Sequence, residues 1–251
     1  MWLVLCPSND LPALWAFQGL KQRGLEPLEL VTTESLDLGV RWNHRVSTQQ
    51  VSLEISLADG RHIRDSEVWG ALNRLSYPPL DSLVLFLPSD REYVQQELHS
   101  FFLSWLSALP GPVINRPTPW GLAGQWRHVS EWITLAARVG LPVPPYRLSS
   151  RDLGEAVDFA THIATSRAPL TTLIVAGNTV LGALCPPHIG AGCLHLAELA
   201  NTALLGVEFV VDREGSWIFV GATPQPDLRL GDEPLLDVLA LLLQSGRRIP
   251  P

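Results

Sequence analysis

Lysine is almost absent from this chain: of its 18 basic residues only Lys21 is a lysine, and the rest are arginines. Chemistry that needs a lysine beyond position 21 is excluded, because arginine offers a planar fork in place of a compact ammonium group. Cysteine is scarce too. Cys6, Cys185 and Cys193 are too few, and odd in number, for a disulfide framework, which fits a reducing compartment. No apolar run approaches the roughly 20 residues of a membrane-spanning helix. The N-terminal MWLVLCPSND has no basic stretch and breaks after five apolar residues, unlike a signal peptide. A basic excess is missing as well: 25 acidic residues against 18 basic ones give a net charge of −7, without the positive field of nonspecific nucleic-acid binding. The expectation is a cytoplasmic protein with neither a membrane nor a nucleic-acid partner.

What is present suits one large domain or two small ones, since 251 residues with 46% apolar content can bury a substantial core. Residues 2–6 read as a buried strand, followed by helical spacing from Leu11 to a stop at Gly24 and a second strand at 28–31. This βαβ opening predicts a parallel sheet. Val51, Leu53, Ile55 and Leu57 alternate with polar residues up to the turn pair Asp59-Gly60, and residues 68–72 form a further buried strand. A long amphipathic helix is predicted over 89–109, broken by Pro110-Gly111-Pro112, then a short strand at 113–114 and a helix over 120–139.

The remainder predicts a helix at 152–164, a hairpin of 170–176 and 179–184 around Gly177-Asn178, and a helix over 194–204. A second hairpin of 207–211 and 217–220 and a final apolar helix over 235–243 complete it. The fold class is α/β: a parallel sheet in residues 1–112, then an α+β half with an antiparallel sheet in residues 113–251.

Several clusters could carry chemistry. Cys185, His188, Cys193 and His195 offer zinc-type ligands, although the spacing is not a standard one and buried thiols with loop histidines explain them as well. Gly190-Ala191-Gly192, read as preceding a helix, could present amides to a phosphate, or simply ease entry to the helix. Cys193, His195 and Glu198 match a nucleophile, base and orienter by composition, but residues two apart on a helix diverge. Asp227, Asp232 and Glu233 could gather a cation or form a solvated loop. Trp105, Trp120, Trp126 and Trp132 suit a core or an interface.

Three stretches together resemble the ATP-grasp superfamily, nearest to its RimK-like carboxylate–amine ligases. Residues 67–75, EVWGALNRL, resemble the family's "vwnR" strand. Residues 113–145, with VINRP, a following helix and ARVGLPVPP, resemble the segment leading into its ATP-binding half. Residues 204–228, LLGVEFVVDREGSWIFVGATPQPDL, resemble its "GvDll…dG…vlEvNpsPgl" hairpin. The resemblance implies a pre-ATP-grasp-like first domain and a reduced ATP-grasp-like second one.

The family activates a carboxylate as an acyl phosphate with ATP and Mg²⁺, using cations on the phosphates and hard oxygen ligands on the metal. Carried over, its first metal-binding carboxylate falls on Glu208, but its glutamate falls on Gly221 and its asparagine on Thr223. Asp227 is the nearest substitute. Between Tyr146 and Leu173 the family's lysines and glycine-rich loop have no counterpart, its "yRv" arginine falls near Thr171, and about 50 residues of its nucleotide-binding subdomain are missing.

Three functional readings follow. The first is a degenerate ATP-grasp-like protein without a cofactor, serving as the binding or accessory partner of a peptide- or small-molecule-modifying system. Its partner would be a protein or peptide, with self-association as a further option. The second is an active ATP-dependent carboxylate–amine or thiol ligase using ATP and Mg²⁺. On that reading Arg74, Arg116 and Arg229 are the catalytic candidates, Asn115 and Arg167 bind the nucleotide, and Glu208 and Asp227 hold the metal. The third is an unrelated α/β binding protein. The first predicts an exposed apolar patch. The family predicts that the hairpins at 170–184 and 206–221 lie side by side in one sheet.

Overall fold

A computed structural model describes residues 1–37, 41–48, 51–79, 81–146 and 170–245. The chain divides into two units, Met1–Gln125 with Glu233–Pro251, and Trp126–Asp232. The division falls after Gln125 rather than after residue 112, and the terminal helix belongs to the first unit. No helix among the described residues is long and apolar enough to cross a membrane.

The first unit is built on β1 (Trp2–Cys6), whose five buried residues reflect its place inside a parallel sheet. β2 (Leu28–Thr32), β6 (Gly70–Asn73) and β7 (Val113–Ile114) complete the order β2-β1-β6-β7, all parallel. Val113 and Ile114 thus extend the first sheet, which is why the division comes later than expected. Asp10 caps α1 (Leu11–Gln22) by accepting the Ala13 N–H at 3.0 Å.

The terminal helix, α6 (Asp232–Gln244), buries Leu235, Leu236, Leu239 and Leu243. A Cβ on Gly19 of α1 would meet Leu236 Cδ1 at 2.3 Å, so only glycine lets α6 approach α1 this closely. The Trp2 indole N–H donates to the Leu243 carbonyl at 3.3 Å, and Arg23 pairs with Glu233 and Asp237. These contacts place α6 in the first unit.

Three antiparallel strands, β3 (Arg41–Val46), β4 (Val51–Ser56) and β5 (His62–Arg64), form a second sheet in this unit. Leu53, Ile55 and Ile63 share one core cluster with Phe102, Trp105 and Leu106 of α3 (Arg91–Ala108), while Trp42 stacks on Phe101 at 4.9 Å. A five-residue helix, α2 (Thr33–Asp37), follows β2.

The second unit is an antiparallel sheet in the order β11-β10-β8-β9, made of β8 (Leu170–Ala176), β9 (Thr179–Gly182), β10 (Leu204–Val211) and β11 (Trp217–Thr223). β8 and β9 turn at Gly177-Asn178, where Gly177 has φ +55°. β10 lies between β8 and β11, so the two hairpins share one sheet as the family resemblance requires. Leu173, Val175, Leu205, Val207, Phe209 and Phe219 join a core with residues of α4 (Val129–Arg138) and α5 (Pro187–Leu199).

Two helices differ from expectation. α4 begins only at Val129, because Pro117, Pro119 and the left-handed Gly124 (φ +96°) keep the preceding segment irregular. α5 spans Pro187–Leu199 instead of 194–204, and Leu204 opens β10. The expected helix at 152–164 lies outside the described residues.

Candidate functional site

The residues of β10 alternate between two faces. Leu205, Val207 and Phe209 enter the core, which leaves Gly206 and Glu208 on the opposite face. Register sets Thr172 of β8 and Gly221 of β11 beside Glu208, and Ile174 and Thr223 beside Gly206. The pairing with β11 shifts just after Glu208, between Glu208 and Phe209. Glu208 is half-buried and has no hydrogen-bond or ionic partner among the described residues. Burial pushes its carboxyl above the usual carboxylate value, because desolvation penalises the charged form. A Cβ on Gly221 would lie 3.6 Å from Glu208 Oε2, so a side chain at 221 would reach this carboxylate.

Asp227 and Arg229 follow β11. Pro226 packs over Gly206, where an added Cβ would come within 2.7 Å of the Pro226 Cβ. Asp227 caps the short turn Leu228–Gly231 by accepting the Arg229 N–H at 3.1 Å. The same carboxylate takes Arg229 Nε at 2.8 Å and Nη2 at 2.6 Å, a bidentate pair. Hydrogen bonding to Asp227 raises the Arg229 pKa above its ordinary value. The candidate metal ligand Asp227 and the catalytic candidate Arg229 therefore hold each other.

At the end of the parallel sheet, Arg74 is buried and pairs with Asp10 through Nε–Oδ2 at 2.7 Å and Nη2–Oδ1 at 3.2 Å. Asp10 caps α1 at the same time, so the guanidinium ties the end of β6 to the start of that helix. Asn115 is buried with φ +59°, a left-handed conformation asparagine tolerates better than most residues. Its carbonyl and that of Leu122 accept the two amide hydrogens of Asn73, whose own oxygen accepts the Leu75 N–H. Asn73, not singled out from the sequence, is the hub of this cluster. Its neighbours in the strand gave no sign of it, because the partners are 42 and 49 residues away. Arg116 donates to the carbonyls of Gly111 and Ser107 at 2.9 and 3.4 Å. Arg167 lies outside the described residues.

The remaining clusters are not brought together. Gly190, Ala191 and Gly192 lie inside α5 rather than ahead of it, so their amides belong to the helix. A Cβ on Gly192 would come 2.5 Å from Leu141 Cδ2, which explains that glycine by packing. Cys193 is buried and its thiol is pushed up to about 12 by burial, while His188 and His195 are exposed. A protonated thiol turned into the core is not a nucleophile. Among the described residues no three His, Cys, Asp or Glu side chains converge as a metal site. Trp105 and Trp132 are core residues, whereas Trp120 and Trp126 are exposed and lie outside any helix.

Magnesium and a nucleotide, which the family resemblance implies, need convergent oxygen ligands and free cations. The described residues do not fit that requirement. Glu208 faces a glycine in place of a second carboxylate, and Asp227 is occupied by Arg229.

No sequence-family model matches the chain, and comparison with curated protein sequences finds no match. Solved structures do match. The fold is similar to that of macrocyclase MdnC from Microcystis aeruginosa MRC, bound with precursor peptide MdnA, with a TM-score of 0.73 and 14% identity over 98% of this chain and 100% of that one. It is similar to a Chryseobacterium gregarium RiPP-associated ATP-grasp ligase in complex with ADP and a leader and core peptide, with a TM-score of 0.73 and 9% identity over 98% and 97%. A D-alanine-D-alanine ligase from Aeromonas hydrophila aligns less closely, with a TM-score of 0.52 and 16% identity over the full length of both chains. At such identities the likeness is one of fold.

Proposed function

From an ATP-grasp-like fold in which Asp227 and Arg229 are engaged with each other, we propose that this chain is a non-catalytic accessory protein of a peptide-modifying system in the cytoplasm. It binds a protein or peptide partner and does not turn over ATP. The observation that carries this reading is Gly221 opposite Glu208, a position where a metal-binding pair would want a second carboxylate. The Asp227–Arg229 pair adds to it. Losing electrostatic contacts worth about 3 kcal/mol each lowers a rate by roughly two powers of ten apiece. Two structural neighbours were solved with precursor, leader or core peptides, which supports a peptide as the partner class. Val84, Leu85 and Leu87 stand 71, 84 and 68% exposed in one short segment, apolar surface of the kind a partner covers.

A second reading, an active RimK-like ligase with rearranged ligands, is favoured by one observation: Glu208 is half-buried and, among the described residues, unpaired, as a metal ligand would be. Thermal unfolding with and without Mg-ATP separates the two. Saturation at 100 times a dissociation constant would add about 2.7 kcal/mol of stability. The accessory reading expects no shift, and a Mg²⁺-dependent rise in Tm would overturn it in favour of the ligase.

A further inference from the structure

The first unit uses its arginines almost completely. Arg23 holds Glu233 and Asp237, Arg61 holds Glu29 and Asp59, Arg64 holds Glu54 and Glu67, and Arg74 holds Asp10. Arg91 and Arg116 donate to main-chain carbonyls. Arg41 and Arg45 are the exceptions: among the described residues of this unit they alone of the arginines have no partner. Both are exposed and both lie on β3.

β3 is an edge strand. In the order β3-β4-β5 it pairs only with β4, and its other edge has no partner among the described residues. Trp42 packs on Phe101, and His44 meets Ser104 at 3.2 Å, so these two side chains take the inner face, towards α3. Alternation puts Arg41, Asn43 and Arg45 together on the outer face. On this face Glu54 stands opposite Asn43 and is already held by Arg64, and Asp65 lines the same hollow as Arg45 without an ion pair to it. The edge therefore presents two unneutralised guanidinium groups four residues apart, about 13 Å along the strand. The whole chain carries a net charge of −7, so this positive edge runs against its overall charge.

We propose that the free edge of β3 accepts an acidic peptide in extended conformation as an added strand, with carboxylates four residues apart seated on Arg41 and Arg45. This deepens the peptide partner proposed above and rests on it. Main-chain hydrogen bonds along the edge supply affinity, and the two arginine forks select carboxylates. A second copy of β3 does not fit. Antiparallel self-pairing centred on Asn43 sets Arg41 against Arg45, and like charges placed opposite each other repel.

The probe is a nine-residue peptide of alternating threonine and valine with glutamates at its third and seventh positions. Its binding is followed by fluorescence anisotropy at low salt and by amide exchange of the full chain. The expected result is saturable binding, slowed exchange within residues 41–46, and weakening by about threefold for each of R41Q and R45Q, as for exposed ion pairs. A peptide with lysines in place of the glutamates should not bind. Absence of binding, equal binding by the R41Q/R45Q double variant, or protection elsewhere would overturn the proposal and leave the arginines as guards against edge aggregation. The nucleotide test above is independent, so failure here and failure of the non-catalytic reading are told apart.

Discussion

One polar cluster lies at the end of the parallel sheet and another on the face of the antiparallel sheet opposite its core, and they are built in opposite ways. Asn73, Arg74 and Asn115 are buried, and the partners of each side chain or carbonyl come from elsewhere in the same unit. Glu208 is half-buried, its strand neighbours are Thr172 and Gly221, and among the described residues its carboxylate has no partner. Buried polar groups in folded proteins are nearly always satisfied, and an exception calls for its own explanation. The first cluster is explained by folding: it fastens α1 and the loop after β7 to the sheet. The second brings no such return: a half-buried carboxylate without a partner among the described residues costs stability.

The largest effect that can break this contrast is R74A. It strands the Asp10 carboxylate and should lower stability by about 3 kcal/mol, read from the midpoint of urea unfolding. A loss under about 1 kcal/mol would mean the pair is a surface-like contact, and the first cluster would lose its structural reading.

The second effect has the opposite sign. E208Q should stabilise the protein by about 1 kcal/mol at pH 8, because an unpaired charge no longer has to be desolvated. The folded pKa of Glu208 is raised, so the native state holds this proton at pH values where the unfolded chain has released it. The wild type therefore loses stability as pH rises through that window, and the glutamine variant does not. The gain should vanish when the two are compared by thermal melts below the unfolded carboxylate's pKa. A gain that persists there, or none at pH 8, would show that Glu208 has a partner.

The smallest effect is expected for R229A. Its pair with Asp227 is exposed, and loss of an exposed ion pair changes stability by less than about 1 kcal/mol. A larger loss would place this pair with the Arg74–Asp10 type and narrow the difference between the two units.

Much of this architecture could be read along the chain. The continuous apolar run of Trp2–Cys6, the Gly177-Asn178 turn and the apolar face of Arg91–Ala108 each act locally, and each formed where expected. β3 was missed because Arg41, Asn43 and Arg45 make one of its faces polar while His44 breaks the apolar pattern of the other. The pattern Gly190-Ala191-Gly192 reads as a loop because the reason for Gly192, its close approach to Leu141, lies about fifty positions away in the chain.

Composition and periodicity alone determined the class, a parallel βαβ opening followed by an antiparallel hairpin pair, and marked Glu208 as a carboxylate stranded among apolar neighbours. Only tertiary structure decided that Asp227 and Arg229 neutralise each other, that Gly221 faces Glu208, and that the last helix returns to the first unit. The physical reason is range. Backbone preference and burial pattern are properties of neighbours in sequence, whereas charge pairing and strand register depend on which distant residues the finished fold brings within a few ångströms.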